Sequence, residues 1–296
     1  VGPVLIWGIM LMAVYAMSVS AMSIMRKQWV DHEHLSYPIA QVPLEVCRAL
    51  ASPSSKNSIF RSRPFWVGFC LVFFAISLRM LCLHFTGKSL FRLGFSHRVV
   101  FNLTGGVRHN LAINLNVIAA GLAFLIPTRV AFSVWFMVLV AWVWNGMCKT
   151  YGVGLDLPMG YAGDPSLQYL IMGSMIVFVV SNLWHSRSHL GRVCRCAFGR
   201  GDREYDRHEP SSYRTLVVTF AASILLAILW LHYAGVPPGH AAFYMASMFI
   251  IFYGIARVIA QCGLPTAGTP ITPEGFTVVT AGARNMSARA ITGLYS

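Results

Sequence analysis

From Val1 to Met25 the chain runs for 25 residues without one charged side chain. A helix rising 1.5 Å per residue needs about 20 mostly apolar residues to cross a hydrocarbon core of about 30 Å. The pattern recurs at Pro64–Phe85, Leu111–Pro127, Val130–Cys148, Leu167–Trp184, Thr215–Tyr233 and Ala241–Gln261, and none of these runs contains Asp or Glu. Barrel strands alternate apolar and polar residues over about 10 positions; these runs are apolar throughout, so they predict helices. The expected fold class is all-α, a polytopic transmembrane helix bundle with about seven spans forming a single membrane region over 1–296. The runs on either side of Pro127-Thr128-Arg129 fit two short crossings or a re-entrant hairpin.

Composition agrees with lipid as the solvent. The chain is 56% hydrophobic and 11% charged, with a mean hydropathy of +0.61, whereas soluble domains carry about 25% charged residues. With most of its 296 residues inside the runs, little chain remains to cover a soluble core.

The formal net charge of +13 would suit nucleic acid if the basic residues formed a patch, but they sort by side instead. With alternating spans, linker 26–63, the Arg129 turn, linker 186–214 and the tail after Gln261 share a side and carry 6, 1, 7 and 2 Lys or Arg. Linkers 87–110 and 149–166 carry 4 and 1. The positive-inside rule makes the first side cytoplasmic. The N-terminus of the chain is then outside and its C-terminus inside, in a bacterial inner membrane. The expected partners are the lipid bilayer and a small solute, with no nucleic acid.

The linkers differ in character. Arg26–Leu50 mixes charges with spaced apolar residues and predicts helix, closed by a turn at Ser52-Pro53-Ser54-Ser55. Linker 186–214 reads as a mobile cytoplasmic loop, and Ala281–Ser296 as a polar tail without a closing element. A span already under way at Val1 suggests a piece of a longer protein. Seven Cys, with Cys70, Cys82, Cys148 and Cys262 in or beside spans, fit small buried apolar residues rather than a disulfide framework.

Polar residues inside apolar helices carry the candidate chemistry. Ser247, Gly254, Arg257 and Gln261 recur at intervals of 7, 3 and 4, which gathers them on one helical face. A cation on such a face should meet protein or water rather than lipid. Arg79 lies three quarters of the way along its span, where it lines a path or snorkels to headgroups. Asn110, Asn114 and Gly121 share a face if the third run is helical. These residues give the expected substrate path: Asn110, Asn114, Arg79, Ser247, Arg257 and Gln261. His185-x3-His189 has metal-ligand spacing, but Cys194-x-Cys196 is too tight and arginines surround it. No metal and no cofactor is expected. Gly263-Leu264-Pro265 breaks the last helix where the polar face ends; it lines a cavity or makes an interfacial turn.

The segment Arg26-Lys27-Gln28-Trp29-Val30-Asp31-His32-Glu33-His34-Leu35-Ser36-Tyr37-Pro38, continued by Gln41-x-Pro43-Leu44-Glu45, resembles a motif of the oligopeptide transporter superfamily. It is most similar to an uncharacterised bacterial branch. Phe124-Leu125-Ile126-Pro127 with Phe132-Ser133-Val134-Trp135-Phe136, and Arg257 with Gly263-Leu264-Pro265, resemble the same branch in the same order. The resemblance implies a secondary transporter of small peptides or metal chelates, commonly proton-coupled, of which this chain covers part. Where the branch often has an acidic residue before Gly-Leu-Pro, this chain has Gln261-Cys262, and no carboxylate lies in any run to couple a proton.

Three functions follow from these residues. A permease-like transporter leads, with its path near the third and seventh runs. A non-transporting scaffold or accessory subunit is the alternative. An intramembrane enzyme is disfavoured, since no acid pair or metal set lies within a span.

Overall fold

The computed structural model describes residues 2–35, 37–51, 62–86, 94–102, 108–116, 121, 123, 126–152, 165–200, 211–263, 268–269, 271–282 and 286–295. Helix α1, Gly2–Lys27, continues through one wide π turn over Gln28–His32. Then come α2 (Pro38–Ala51), α3 (Arg63–Thr86), strands β1 (Gly94–Asn102) and β2 (Arg108–Asn116), and α4 (Thr128–Thr150). The second half holds α5 (Pro165–His185), α6 (Arg187–Ala197), α7 (Tyr213–Tyr233), α8 (Pro238–Cys262), α9 (Pro273–Ala281) and α10 (Ala288–Tyr295).

Among the described residues five helices are long and apolar enough to cross a membrane: Val4–His32, Arg63–Phe85, Thr128–Cys148, Tyr213–Tyr233 and Pro238–Cys262. A sixth arises if α5 and α6, bent by 64° about Ser186, count as one broken span. This is a helical membrane-type architecture with five to six candidate crossings among the described residues. The expected third span is the exception. Its first residues, Leu111 to Asn116, belong to β2, which pairs antiparallel with β1 from Gly94↔Asn116 to Asn102↔Arg108. Residues 108–116 include three Asn, a residue weak as a helix former, and the pairing gives their backbone groups partners that a helix would otherwise supply. Whether 111–148 crosses twice depends on residues 117–120, 122, 124 and 125, outside those described.

The described chain forms two compact units. The first holds 1–35, 154–257 and 268–296. In it α1 and α7 run antiparallel: Trp230 donates its indole N–H to the Ile6 carbonyl at 3.0 Å and its ring meets Trp7 at 4.8 Å. At the far end Ile24 clusters with Tyr213 and Val193. Helix α8 runs parallel to α5, with Met172 packed near Ile251 and Met175 against Gly254. A Cβ on Gly254 would lie 2.1 Å from the Met175 sulfur, so the missing side chain is what lets these helices approach. Met10, Ala13 and Met17 of α1 share a buried cluster with Ala227 and Leu231 of α7 and Tyr244 and Met245 of α8. Inside it, Ser18 and Ser20 return their hydroxyls to the carbonyls of Val14 and Ala16, which satisfies polar groups an apolar helix would otherwise strand.

Two sequence expectations change here. The stretch after residue 281 is not a free polar tail, because α10 buries Ala290 and Leu294 beside Val236 and Ala241. The chain therefore turns back after α8. Ile271 packs at mid-height with Met172 and Ile251, Phe276 stacks on Phe243 at 5.6 Å, and α10 ends by the α7–α8 turn. The 268–296 segment thus finishes at the end of the unit opposite Arg257, not beside it. Likewise linker 186–214 contains a packed helix: α6 buries His189 and Val193 while Arg187, Arg192 and Arg195 stay exposed.

The second unit holds 36–153 and 258–267. None of the described residues of α3 is buried, and Phe65, Phe69 and Phe73 stack along it at 6.5 and 5.8 Å. Helix α2 fulfils the helix expected before Ser52. Gly263, at φ +69°, closes α8; a Cβ there would meet Pro38 at 2.6 Å, so the turn needs glycine twice over.

Candidate functional site

The residues that assemble a polar cleft come from three helices in the first unit. Helix α1 supplies its π turn, α5 its last turn and α8 the turn around Arg257. The π turn is held by the Glu33 N–H donating to the Gln28 carbonyl at 3.0 Å. Such turns place residues five apart near one another. Gln28 and Glu33 use that spacing, with Gln28 Nε2 donating to Glu33 Oε1 at 3.2 Å. His34 follows at φ 49°, an uncommon backbone for a residue with a side chain.

This turn carries Glu33 to α8. The Arg257 guanidinium donates through Nη2 to Glu33 Oε2, forming an ion pair between residues 224 apart in sequence. Arg257 is only 6% exposed, and the Glu33 side chain 24%. Beneath the pair the guanidinium carbon sits 5.1 Å from the Trp29 ring centre, and Trp29 meets Tyr253 edge to face at 5.6 Å. Tyr253 and Arg257 are one helical turn apart, so one face of α8 presents both. A cation over indole gains from about 0.5 to about 2 kcal/mol as water is removed. The carbonyl ends of α1 and α5 add a further favourable field for it.

The opposite wall is α5. Asn182 Nδ2 donates to the Phe178 carbonyl at 3.3 Å. His185 Nδ1 lies 2.9 Å from the Ser181 carbonyl; a carbonyl only accepts, so Nδ1 is the donor, and in that tautomer Nε2 is the acceptor. The cleft between the walls encloses about 340 Å³ and is lined by Gln28, Glu33, Ser181, Asn182, His185 and Arg257. Arg257 offers five N–H donors, yet its Nε and Nη1 are buried without a hydrogen-bond acceptor among the described residues. A buried donor left unmet costs about 1–3 kcal/mol, and more on a charged group. The arrangement suits an acceptor-bearing group from solution.

The sequence-derived candidates fare unequally. Arg257 is in the cleft. Ser247 shares its helix, but its hydroxyl is buried and already donates to the Tyr244 carbonyl at 2.8 Å. Gln261, a turn past Arg257, is exposed. The polar face expected on α8 is thus divided among an internal hydrogen bond, a close helix approach at Gly254, one site residue and one surface residue. Arg79 lies on α3 and Asn110 and Asn114 on β2, in the second unit. The two Asn occupy strand positions opposite Val100 and Ser96, so the helical face expected for them does not form. Of the possible metal set, His185 and Cys194 are exposed, and buried His189 binds the Ile24 carbonyl through Nε2 at 2.8 Å. No group of three or more His, Cys, Asp or Glu is gathered for a metal among the described residues.

Glu33, Gln28, Trp29, Asn182, His185 and Tyr253 were not singled out by periodicity. Glu33 and Gln28 lie just past the apolar run, where a charge reads as solvated. Their signals were the density of polar residues over 26–34 and the resemblance carried by Arg26–Pro38. Ser181-Asn182 near the end of an otherwise apolar run is a second signal of the same kind.

No curated protein and no solved structure matches the chain. The profile of the family of unknown function DUF6785 matches residues 1–295, and the chain belongs to that family.

Proposed function

We propose that this DUF6785 member is a permease-like membrane protein, a secondary transporter of small peptides or metal chelates whose path includes the cleft at Arg257. The observation that carries the reading is the buried Arg257–Glu33 pair, set in a polar cleft where α1 and α5 end beside α8. Charges among membrane helices are costly, and they recur on solute and ion pathways. A volume of about 340 Å³ falls at the lower end of the usual range for small-molecule sites, in keeping with a small solute. The resemblance of Arg26–Pro38 to the oligopeptide transporter motif supports the same reading, since Gln28 and Glu33 of that motif line the cleft and Trp29 packs against Arg257.

The orientation that fits is cytoplasmic for the cleft end. Arg26, Lys27, Arg187, Arg192 and Arg195 cluster on the helix ends there, and positive residues favour the cytoplasmic side. The bacterial inner membrane is the proposed location.

The test is uptake by proteoliposomes of labelled dipeptides and of metal chelates. The expected result is saturable flux for one class, lost in Arg257→Gln at equal reconstitution. Absence of flux for both classes would sink the transporter and favour the second reading, a scaffold or accessory subunit. That alternative draws on α3, whose unburied aromatic surface is available to a partner helix as well as to lipid. Its mark is co-purification with one constant partner.

A further inference from the structure

We infer that the cleft beside Arg257 binds a carboxylate, which docks on the part of the guanidinium that Glu33 leaves open; the inference deepens the permease reading by naming the solute group.

Arginine presents two parallel pairs of N–H donors, one from Nε with Nη2 and one from Nη1 with Nη2, and each pair matches the two oxygens of a carboxylate. Nη2 has a hydrogen for each pair. Glu33 Oε2 accepts from Nη2, while Nε and Nη1 are buried and find no acceptor among the described residues. One donor pair therefore remains for an incoming anion. Glu33 is held in place by Gln28 on its other oxygen, so it neutralises Arg257 without covering it. Trp29 occupies one face of the guanidinium, which confines an incoming ligand to its edge.

The far wall supplies the second half of the recognition. With Nδ1–H committed to the Ser181 carbonyl, the Nδ1–H tautomer of His185 keeps Nε2 as an acceptor. Asn182 commits its amide N–H to Phe178 and keeps its carbonyl oxygen. Both can accept from an N–H next to the ligand carboxylate. The fitting solute is a small carboxylate with an adjacent amide or amine N–H. A tetrahedral phosphate would meet the Arg257 edge but find two acceptors opposite it, which repel its oxygens.

N-acetylalanine is the probe, N-acetylalaninamide its uncharged control and inorganic phosphate the competing oxyanion, each titrated against the full chain in detergent. Thermal unfolding and Trp fluorescence are the readouts. The acid should raise the unfolding temperature in a saturable way, and the amide and phosphate should not. Arg257→Lys keeps the charge and loses the planar donor pair, so affinity should fall at least tenfold. Glu33→Gln removes the resident anion and keeps Arg257, so affinity should rise severalfold even if the variant is less stable. A purely structural ion pair would not tighten binding in this way. Asn182→Ala should weaken the acid a few-fold. Equal shifts with acid and amide, a shift with phosphate alone, or no change in Glu33→Gln would each overturn the inference. Because binding is read without flux, acid binding in a protein that fails the uptake assay would refute the transporter and leave this site standing.

Discussion

At the scale of single residues, the Arg257–Glu33 pair should behave as a charge balance. Glu33→Gln leaves a buried cation without its counter-charge and should destabilise the protein by about 1–3 kcal/mol, less than the loss of a fully buried pair because Glu33 is partly exposed. Arg257→Gln combined with Glu33→Gln removes both charges and should recover most of that loss; urea or thermal unfolding in detergent reads the difference. A double variant as unstable as the sum of the single ones would mean that the two residues do not interact. His189 gives a separate prediction on α6, past the end of α5. Burial, chiefly, holds its imidazole pKa below the usual value, against its hydrogen bond to the Ile24 carbonyl, which raises it, with Arg192 among the smaller lowering influences. The neutral ring is the folded form, so its contribution is complete above the unfolded value of about 6.5 and is lost as pH falls below it. Unfolding temperature should drop from pH 7 toward pH 5, and His189→Gln should flatten that drop; an unchanged slope would remove His189 as its source. These residue-scale facts were the least legible in the sequence. Glu33 looked like a solvated linker charge, and nothing in the spacing of 224 residues pairs it with Arg257.

At the scale of elements, two devices position the cleft. One is the π turn at Gln28–His32, which turns Glu33 from the end of α1 toward α8. The other is Gly254, where α8 comes against Met175 and Val179 of α5. Gly254→Ala should cost about 1–3 kcal/mol, the usual range for overpacking, moderated by the freedom of the Met175 thioether to swing aside. Gly254→Leu should separate the helices and widen the cleft, lowering solute affinity as well as stability. A cysteine pair at 175 and 254 in a background without other Cys should cross-link readily; failure to do so would contradict the α5–α8 contact. Sequence patterning found the helices themselves, since long uncharged apolar runs have few alternatives. It misread 111–116, where Asn-rich chain pairs as a strand, and it missed α10, whose 8 residues are too short to stand out by hydropathy. The break after α8 was visible as Gly263-Leu264-Pro265, but its consequence was not. The chain re-enters the helical unit, where Thr272 caps α9 by accepting from the Gly275 N–H.

At the scale of the whole molecule, the parallel course of α1, α5 and α8 makes a topological prediction. Single cysteines at 187, 195 and 200 should label from the same side as position 26, and cysteines at 234 and 292 from the other. Labelling of 292 together with 195 would contradict the return of the chain after α8. Parallel α1 and α5 also require an odd number of crossings between residues 36 and 164, whereas α3 and α4 supply two. Labelling at 96 and at 151 from a common side would show where the count becomes odd. The amino-acid sequence alone determined that most of this protein consists of apolar helices of membrane-crossing length, because hydrophobic patterning is a local property that tertiary structure does not overrule over 20 residues. Only the folded arrangement decided which polar residues count. It selected Arg257 from the candidates, sent Ser247 to its own helix and Gln261 to the surface, and recruited Glu33 from outside every apolar run. The reason is that a buried cation needs a counter-charge close in space, and closeness in space between distant segments is fixed by helix packing, not by spacing along the chain.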